Sequence, residues 1–486
     1  MEKRAKEILH PVICLRNPLK AVNRLPREII AMCAAFVPRT DPKPIVSLTH
    51  VCRYWREAII SSPRNWTLIG SGWQRLVPLC LERAGETPLA VGISVPSIKE
   101  KKNFVRALLP RIPRISHLSL AGFSSIEKVA DDLPAFFASP MTDLTSLELD
   151  QRKAPTERFP SNEDPAPPLF RSVSKLTSLR LFRIPLYPAL FNIASLVELQ
   201  LTDYKIPLQK FIGFLESNFS LEIVVLNIEF VKGSVSTAPE INASLPRLRR
   251  LALTCYNAID ARGLLSCLSL PRGVDIEVHG SKQNPCGDLA SFLPCPPTPI
   301  QDILDPITTI RSWHFPRQLH LFGNDGSFSF HSHSDPSRYY QEFDLFATGA
   351  VRQIHLVLNT WLRMVGPNDN ISRPFEHLPA LEALVLSGGR YEPGPLTALA
   401  KNPALCPSLK TVALLDCMES PEAFRELESM LTERERSTVA RVHRVVIANK
   451  RRDMPNQIQS VGRLRMLVPR VDTVMGDERY EFPDLL

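Results

Sequence analysis

His314, His320, His331 and His333 are the residues of this chain that come nearest to reactive chemistry. Imidazoles bind divalent metals, and the two-residue step from His331 to His333 would turn both rings to one side of a strand or loop. No cysteine or carboxylate stands beside them at a recognised ligand spacing, so the stretch reads as a polar, His- and Ser-rich loop without a metal. Other chemistry is absent as well: the chain has no GxGxxG, no GxxxxGK[ST], no GxSxG elbow and no HExxH. Trp361, in Asn359-Thr360-Trp361-Leu362, is large enough to recognise a ligand, but it reads as a core anchor. The expectation is a protein that is not an enzyme, with no catalytic residue, no metal and no cofactor.

What the sequence does hold is material for packing. With 486 residues, 44% of them hydrophobic, the chain exceeds one core and can bury a large interior. Proline is abundant at 44 residues and glycine sparse at 20, a balance that suits many short elements joined by rigid connections. The net charge of +8 leaves nucleic acid open as a partner. The densest basic run, Arg434, Arg436, Arg441, Arg444, Lys450, Arg451 and Arg452, is interrupted by Glu433 and Glu435 and has no aromatic residues interleaved. It reads as a solvated helix face, and nucleic acid is not an expected partner. Ten cysteines without a CxxC pair fit buried thiols in a reducing compartment. The apolar stretch 8–15 is too short, and too interrupted by Pro11, for a secretory signal or a membrane span. Cytosol or nucleus, and no membrane, are the expectations.

The first seventy residues carry two amphipathic stretches. Pro26 stands at what reads as the first turn of a helix, where its missing N–H costs nothing. Leu25, Ile29, Ile30, Cys33, Phe36 and Val37 then recur at helical spacing, with Arg27 and Glu28 on the other side. Pro38, Pro42 and Pro44 end that helix. Ile45, Leu48, Val51, Cys52, Trp55 and Ile59 form a second stripe, with Arg53, Arg56 and Glu57 facing away, and Pro63 ends it. Helices this short cannot bury all their apolar surface against each other, so part of it is expected to meet a partner or the next domain.

Leu25-Pro26-Arg27-Glu28-Ile29-Ile30, followed by Val51-Cys52-Arg53-Tyr54-Trp55-Arg56 and then Trp66, closely resembles the F-box, whose shape is LPxEI…VCRxWR…W. The likeness covers residues 21–70. Two departures stand out: Cys33 and Ala34 replace a larger aliphatic–aromatic pair, and the linker 38–44 is long.

Past residue 70 a pattern φxxφxφ recurs, φ being apolar. It reads Ile115-Leu118-Leu120, Leu144-Leu147-Leu149, Leu176-Leu179-Leu181, Leu196-Leu199-Leu201 and Leu221-Val224-Leu226. It continues as Leu248-Leu251-Leu253, Val351-Ile354-Leu356, Leu381-Leu384-Leu386, Leu409-Val412-Leu414 and Val442-Val445-Ile447. The last two apolar positions alternate as in a strand. The pattern resembles divergent leucine-rich repeats, with helices expected at 73–83, 100–109, 207–216, 421–431 and 459–467. Only Cys417 takes the Asn or Cys position usual in such repeats. The stretch from 271 to 350 shows no clear copy except at Leu319 and Leu321, and its part near 281–350 reads as a loop-rich insertion.

The resulting fold class is α + α/β. A tail (1–20) precedes a small helical F-box (21–70), then an irregular leucine-rich-repeat-like α/β solenoid (71–476) and a second tail (477–486). The resemblance implies an adaptor subunit of an SCF-type (Skp–cullin–F-box) ubiquitin ligase. Leu25, Pro26, Ile29, Ile30, Cys33, Val51, Cys52 and Trp55 would form or support the face that meets the Skp adaptor and, through it, a cullin. Trp66 would pack between the helices and the solenoid. A scaffold that binds proteins without directing ubiquitination is the alternative. In each repeat the residue between the last two apolar positions points away from the core, which would line a concave face with Ser119, Glu148, Arg180, Gln200, Val225, Ala252, His355, Val385 and Ala413. Client protein is expected to meet the polar four: Ser119, Glu148, Arg180 and Gln200.

Overall fold

The computed structural model describes residues 20–36, 43–73, 75–94, 102–123, 134–151, 174–184, 186–187, 190, 193–230, 243–255, 257–280, 289–294, 307–313, 317–323, 326–332, 348–357, 373–387, 394–416, 421–437, 439, 441–449 and 458–475. The chain is mixed α/β, with largely parallel strands, in two compact units, Met1–Tyr204 and Lys205–Leu486. No helix among the described residues is long and apolar enough to cross a membrane.

The first unit begins with a 3-10 turn (Ala21–Arg24), three short helices, α1 (Arg27–Ala35), α2 (Lys43–Thr49) and α3 (Arg53–Ile60), and a second 3-10 turn (Pro63–Trp66). The strands β1 (Leu68–Gly70), β2 (Leu89–Ser94), β3 (Ile115–Phe123), β4 (Ser146–Gln151), β5 (Ser178–Phe182) and β6 (Glu198–Ile206) follow. Each pairs in parallel with the next. Helix α4 (Val77–Ala84) connects β1 to β2.

The second unit contains β7 (Ile223–Phe230), β8 (Ala243–Ser244), β9 (Arg250–Cys255), β10 (Leu268–Ser269), β11 (Asp275–Gly280), β12 (Thr309–Trp313), β13 (Arg317–Phe322) and β14 (Ser327–Ser332). It continues with β15 (Gln353–Val357), β16 (Ala383–Ser387), β17 (Thr411–Leu415), β18 (Arg444–Asn449) and β19 (Arg470–Met475). β8 and β10 form a small parallel pair of their own. The rest lie side by side in the order β7-β9-β11-β14-β13-β12-β15-β16-β17-β18-β19. All of these pairings are parallel except the two that β13 makes.

Alternation of apolar side chains explains the strands. In all ten φxxφxφ copies the last two apolar positions fall on a strand, and every apolar position of the ten is at most 3% exposed. The copies stack in register: Leu118, Leu147, Leu179 and Leu199 are aligned neighbours across β3–β6. Leu251, Ile276, Phe328, Leu321, Ile310, Ile354, Leu384, Val412 and Val445 make the corresponding row of the second unit. Burying each such side chain contributes about 1.5–3 kcal/mol. The turns ahead of the strands stack as well, through bonds such as Thr177 N–H to Thr145 O and Lys410 N–H to Glu382 O, both 2.8 Å. The expected helices appear as Val77–Ala84, Lys102–Leu108, Leu208–Ser217, Pro421–Arg436 and Ile458–Leu467. Helices at Ala258–Ser266 and Pro395–Lys401 were not anticipated.

The structure corrects three expectations. The stretch 271–350 is not merely loop: β11 to β14 lie inside the ladder, with β12, β13 and β14 as an antiparallel meander. Gly326, between β13 and β14, presses so closely on the start of β11 that a Cβ there would lie 2.8 Å from the Val274 carbonyl oxygen. Second, the outward-pointing row is not open along its length. His355, Val385, Ala413 and Val446 are all buried, the last three forming a hydrophobic cluster with Leu415 packed against it. Burial pushes His355 down to about 4, and its Nε2 lies 2.8 Å from the Ser387 hydroxyl. Third, Arg434 does not belong to a solvated helix face. It is 1% exposed, and its two terminal nitrogens donate to the Leu405 and Cys406 carbonyls at 2.9 Å each.

Candidate docking site on the N-terminal helices

Pro26 caps α1 from outside rather than standing in its first turn, with an extended backbone whose carbonyl accepts from the Ile29 and Ile30 amides. That carbonyl starts the helix while the missing Pro26 N–H leaves no donor unmet. Ile30, Ala31 and Ala34 then face inward and are buried. The opposite face stays bare: Ile29, Met32 and Phe36 are 40%, 56% and 83% exposed. Cys33 is exposed beside them; Leu25 and Pro26 ahead of the helix and Val51 between α2 and α3 are exposed too. Ile29, Met32, Cys33 and Phe36 stand at i, i+3, i+4 and i+7, one unbroken helical stripe.

The second hexapeptide holds this stripe in place. The Tyr54 hydroxyl donates to the Leu25 carbonyl at 2.7 Å, and the Trp55 indole N–H donates to the Asn23 side chain at 2.7 Å. Arg56 donates to the Thr49 carbonyl at 3.0 Å, closing α2 onto α3. Arg27 and Arg53 both bond Glu57 at 2.8 Å. The Arg53 hydrogen bond, more than any other contact, holds the Glu57 carboxyl below the usual carboxylate range. Being exposed, these pairs add little stability, but the one from Arg27 orients α1 against α3. Arg27, Arg53, Arg56 and Glu57 were expected to face away from the hairpin; Arg53 does, pairing with Glu57 within α3, but Arg27 through Glu57 and Arg56 through the Thr49 carbonyl tie the helices together.

Of the eight residues expected at the adaptor face, Leu25, Pro26, Ile29, Cys33 and Val51 are exposed, while Cys52 and Trp55 are half-buried. Ile30, at 1% exposure, belongs to the interior and can act only by packing. Met32 and Phe36 complete the stripe. Phe36 already stood in the apolar run, and helical spacing from Ile29 would have added Met32, but reading the whole run as one face merged two. Beside the stripe, a groove of about 500 Å³ opens where Ala31, Met32, Ala35 and Phe36 of α1 meet Ala58 and Ser61.

Trp66 fastens the helices to the first strand. It is 4% exposed, its indole N–H donates to the Ile59 carbonyl at 3.0 Å, and the Arg83 guanidinium of α4 lies 4.3 Å from the ring centroid. β1 starts two residues later.

The four residues expected to meet a client share one register row, Ser119 to Glu148 to Arg180 to Gln200 across β3–β6. Arg180 is exposed and the other three are half-buried. Its guanidinium is paired with Glu198 at 2.8 Å.

Of the four histidines, His320 and His331 lie on β13 and β14 rather than in a loop; His314 and His333, like Trp361, lie outside the described residues. Burial, then the neighbouring His279, push His331 down to about 4. Burial would raise Glu277 on β11, yet the Arg250 hydrogen bond and His279 outweigh it and hold the carboxylate low. His331 is therefore neutral and Glu277 ionised at pH 7.

No family model matches this chain, and no curated protein is similar to it in sequence.

Proposed function

We propose that this protein is an F-box adaptor with a leucine-rich-repeat-like solenoid, which docks a Skp-type subunit through α1 and its flanks and presents a client to a cullin-based ubiquitin ligase. One observation carries the reading: α1 buries one apolar face and leaves a second, Ile29-Met32-Cys33-Phe36, bare, while Leu25 and Val51 are exposed as well. A helix apolar on two sides loses solubility for nothing unless a partner covers the second. The partner that the LPREII…VCRYWR resemblance implies would cover this side. The chain supplies geometry only, since bringing a lysine-bearing client near a charged ubiquitin carrier is a proximity effect.

The full chain co-expressed with a Skp-type adaptor should retain it through purification, and Leu25→Asp with Pro26→Ala should lose it. Equal recovery by wild type and variant would overturn the docking assignment. A complex that holds the adaptor but never recruits cullin would leave a scaffold instead of a ligase subunit.

The client is assigned to the polar row of the first unit, because the corresponding row of β15–β18 is buried. Repeat arrays present such strand rows as extended binding surfaces, and a few residues carry most of the affinity. Reversing Glu148→Lys and Arg180→Glu together should therefore release bound clients more than about tenfold. Adaptor binding and melting temperature should not change. An unchanged set of ubiquitinated clients in cells carrying that double variant would remove the row from consideration.

A further inference from the structure

Glu277 and His279 stand two apart on β11, so both side chains rise from the same face of the ladder. His331 on β14 is the register partner of His279. The two imidazole rings lie 4.1 Å apart between centroids, inclined by 30°. Glu277 reaches under them: its Oε1 is 2.8 Å from His279 Nε2 and 3.4 Å from His331 Nε2. One ligand atom from each of the three residues lies within 4.8 Å of the others. Around a tetrahedral ion with bonds of about 2.0–2.1 Å, donor atoms sit roughly 3.3 Å apart. The observed set needs only small side-chain rotations to reach that.

Three further features separate this cluster from an ordinary surface ion pair. His331 Nε2 is buried and makes no hydrogen bond among the described residues, although it faces a carboxylate. Buried polar nitrogens are rarely left so. The other oxygen of Glu277 is held by Arg250 at 3.1 Å, which aims Oε1 at the imidazoles. A ligand carboxylate oriented by an outer hydrogen bond is the usual support of a metal site. Finally, His320 stands edge-on to the His331 ring at 5.5 Å, and its own Nδ1 lies 2.6 Å from the Ser329 hydroxyl, so a hydrogen-bonded ring backs the cluster.

We propose that Glu277, His279 and His331 form a site for one divalent ion of the zinc class, held by two imidazole nitrogens and one carboxylate oxygen. Nitrogen-rich donors of this kind select zinc, cobalt or nickel over magnesium or calcium, which want oxygen shells. Three protein ligands leave a fourth position for water. Both strands β11 and β14 contribute, so the ion clips together segments far apart in sequence at the place where the meander joins the parallel ladder.

The test uses the full chain stripped with a chelator and titrated with Zn²⁺ alone, followed by calorimetry and thermal melting. One Zn²⁺ per chain should bind and raise the melting temperature, and Mg²⁺ at equal concentration should do neither. Co²⁺ should give the intense visible bands of a four- or five-coordinate ion without a thiolate charge-transfer band. That spectrum separates the site from the exposed Cys33. His331→Asn should weaken Zn²⁺ at least about 100-fold, beyond what loss of an outer partner costs. His279→Asn, at a more exposed position, should do the same and serves if His331→Asn fails to fold. Arg250→Met should weaken it about tenfold. Absence of Zn²⁺ binding, equal affinity in His279→Asn, or a thiolate-dominated cobalt spectrum would each overturn the assignment.

Discussion

Trp66→Ala should destabilise the first unit by about 3–5 kcal/mol, the usual cost of removing a buried tryptophan. Three losses coincide at this residue. The indole fills space under α4, its N–H is the partner of the Ile59 carbonyl, and its face receives the Arg83 guanidinium. Trp66→Phe keeps most of the volume and drops the hydrogen bond, so it should cost only about 1–2 kcal/mol. Urea unfolding of both variants gives the comparison. Native-state hydrogen exchange should place the damage locally, with β1 and β2 amides losing protection while those of β16–β18 keep theirs. Equal costs for the two variants would mean that packing contributes little and that the indole N–H accounts for the whole effect.

Arg434→Met is expected to cost about 2–4 kcal/mol, and here two effects oppose each other. A guanidinium at 1% exposure is expensive to bury, and burial holds its pKa below the ordinary arginine value. Removing the charge recovers part of that penalty. Against it stand two carbonyls, Leu405 O and Cys406 O, that lose a charged donor and remain enclosed, at about 1–3 kcal/mol each. Cys406 also has a φ of 50°, the left-handed region that a β-carbon disfavours, and its carbonyl is one of the two that Arg434 holds. The loss of both bonds should therefore win. Arg434→Lys should be intermediate, since one ammonium does not reproduce the planar fork. A methionine variant as stable as wild type would show that the buried charge, and not the carbonyls, dominates. The same burial pushes the Cys406 thiol up to about 12.

Legibility in the sequence followed periodicity. The ten φxxφxφ copies could be read because two leucine-like positions alternating on a strand, plus one at its foot, leave the same trace each time. The meander was legible only at Leu319 and Leu321 of β13: β12 has Ile307 and Ile310 but Ser312 at the last apolar position, β13 and β14 lack the leading apolar residue, and β13 runs backwards. The burial of Val385 and Ala413 was written in their apolar character, yet alternation alone assigned them to the outside; a strand covered on both faces reads as continuous apolar sequence. The helical hairpin was legible as two stripes. Its cross-ties from Tyr54, Trp55 and Arg56 were not, since they join positions about thirty residues apart or end on backbone carbonyls. The Glu277-His279-His331 cluster had half a signal. Its histidines are 52 positions apart in the sequence, and only the register of β11 against β14 brings them together.

The meander imposes a rule of parity on everything after it. A strand that reverses direction must be followed by another reversal before a parallel array can resume. β14, β13 and β12 make two reversals, so the array leaves the insert pointing the way it entered, and β15 to β19 continue the polarity of β7, β9 and β11. An insert of two such strands would have turned the direction of all later strands. The visiting order carries a further consequence: β12 lies two places beyond β14 from β11, although it comes earlier in the chain. No growing edge can pass strand by strand from β11 to β15. The hairpins of the meander, whose contacts are local, can form by themselves on the timescale of short-loop closure. The topology therefore calls for the meander to dock on β11 as a unit before β15 can pair with its far edge.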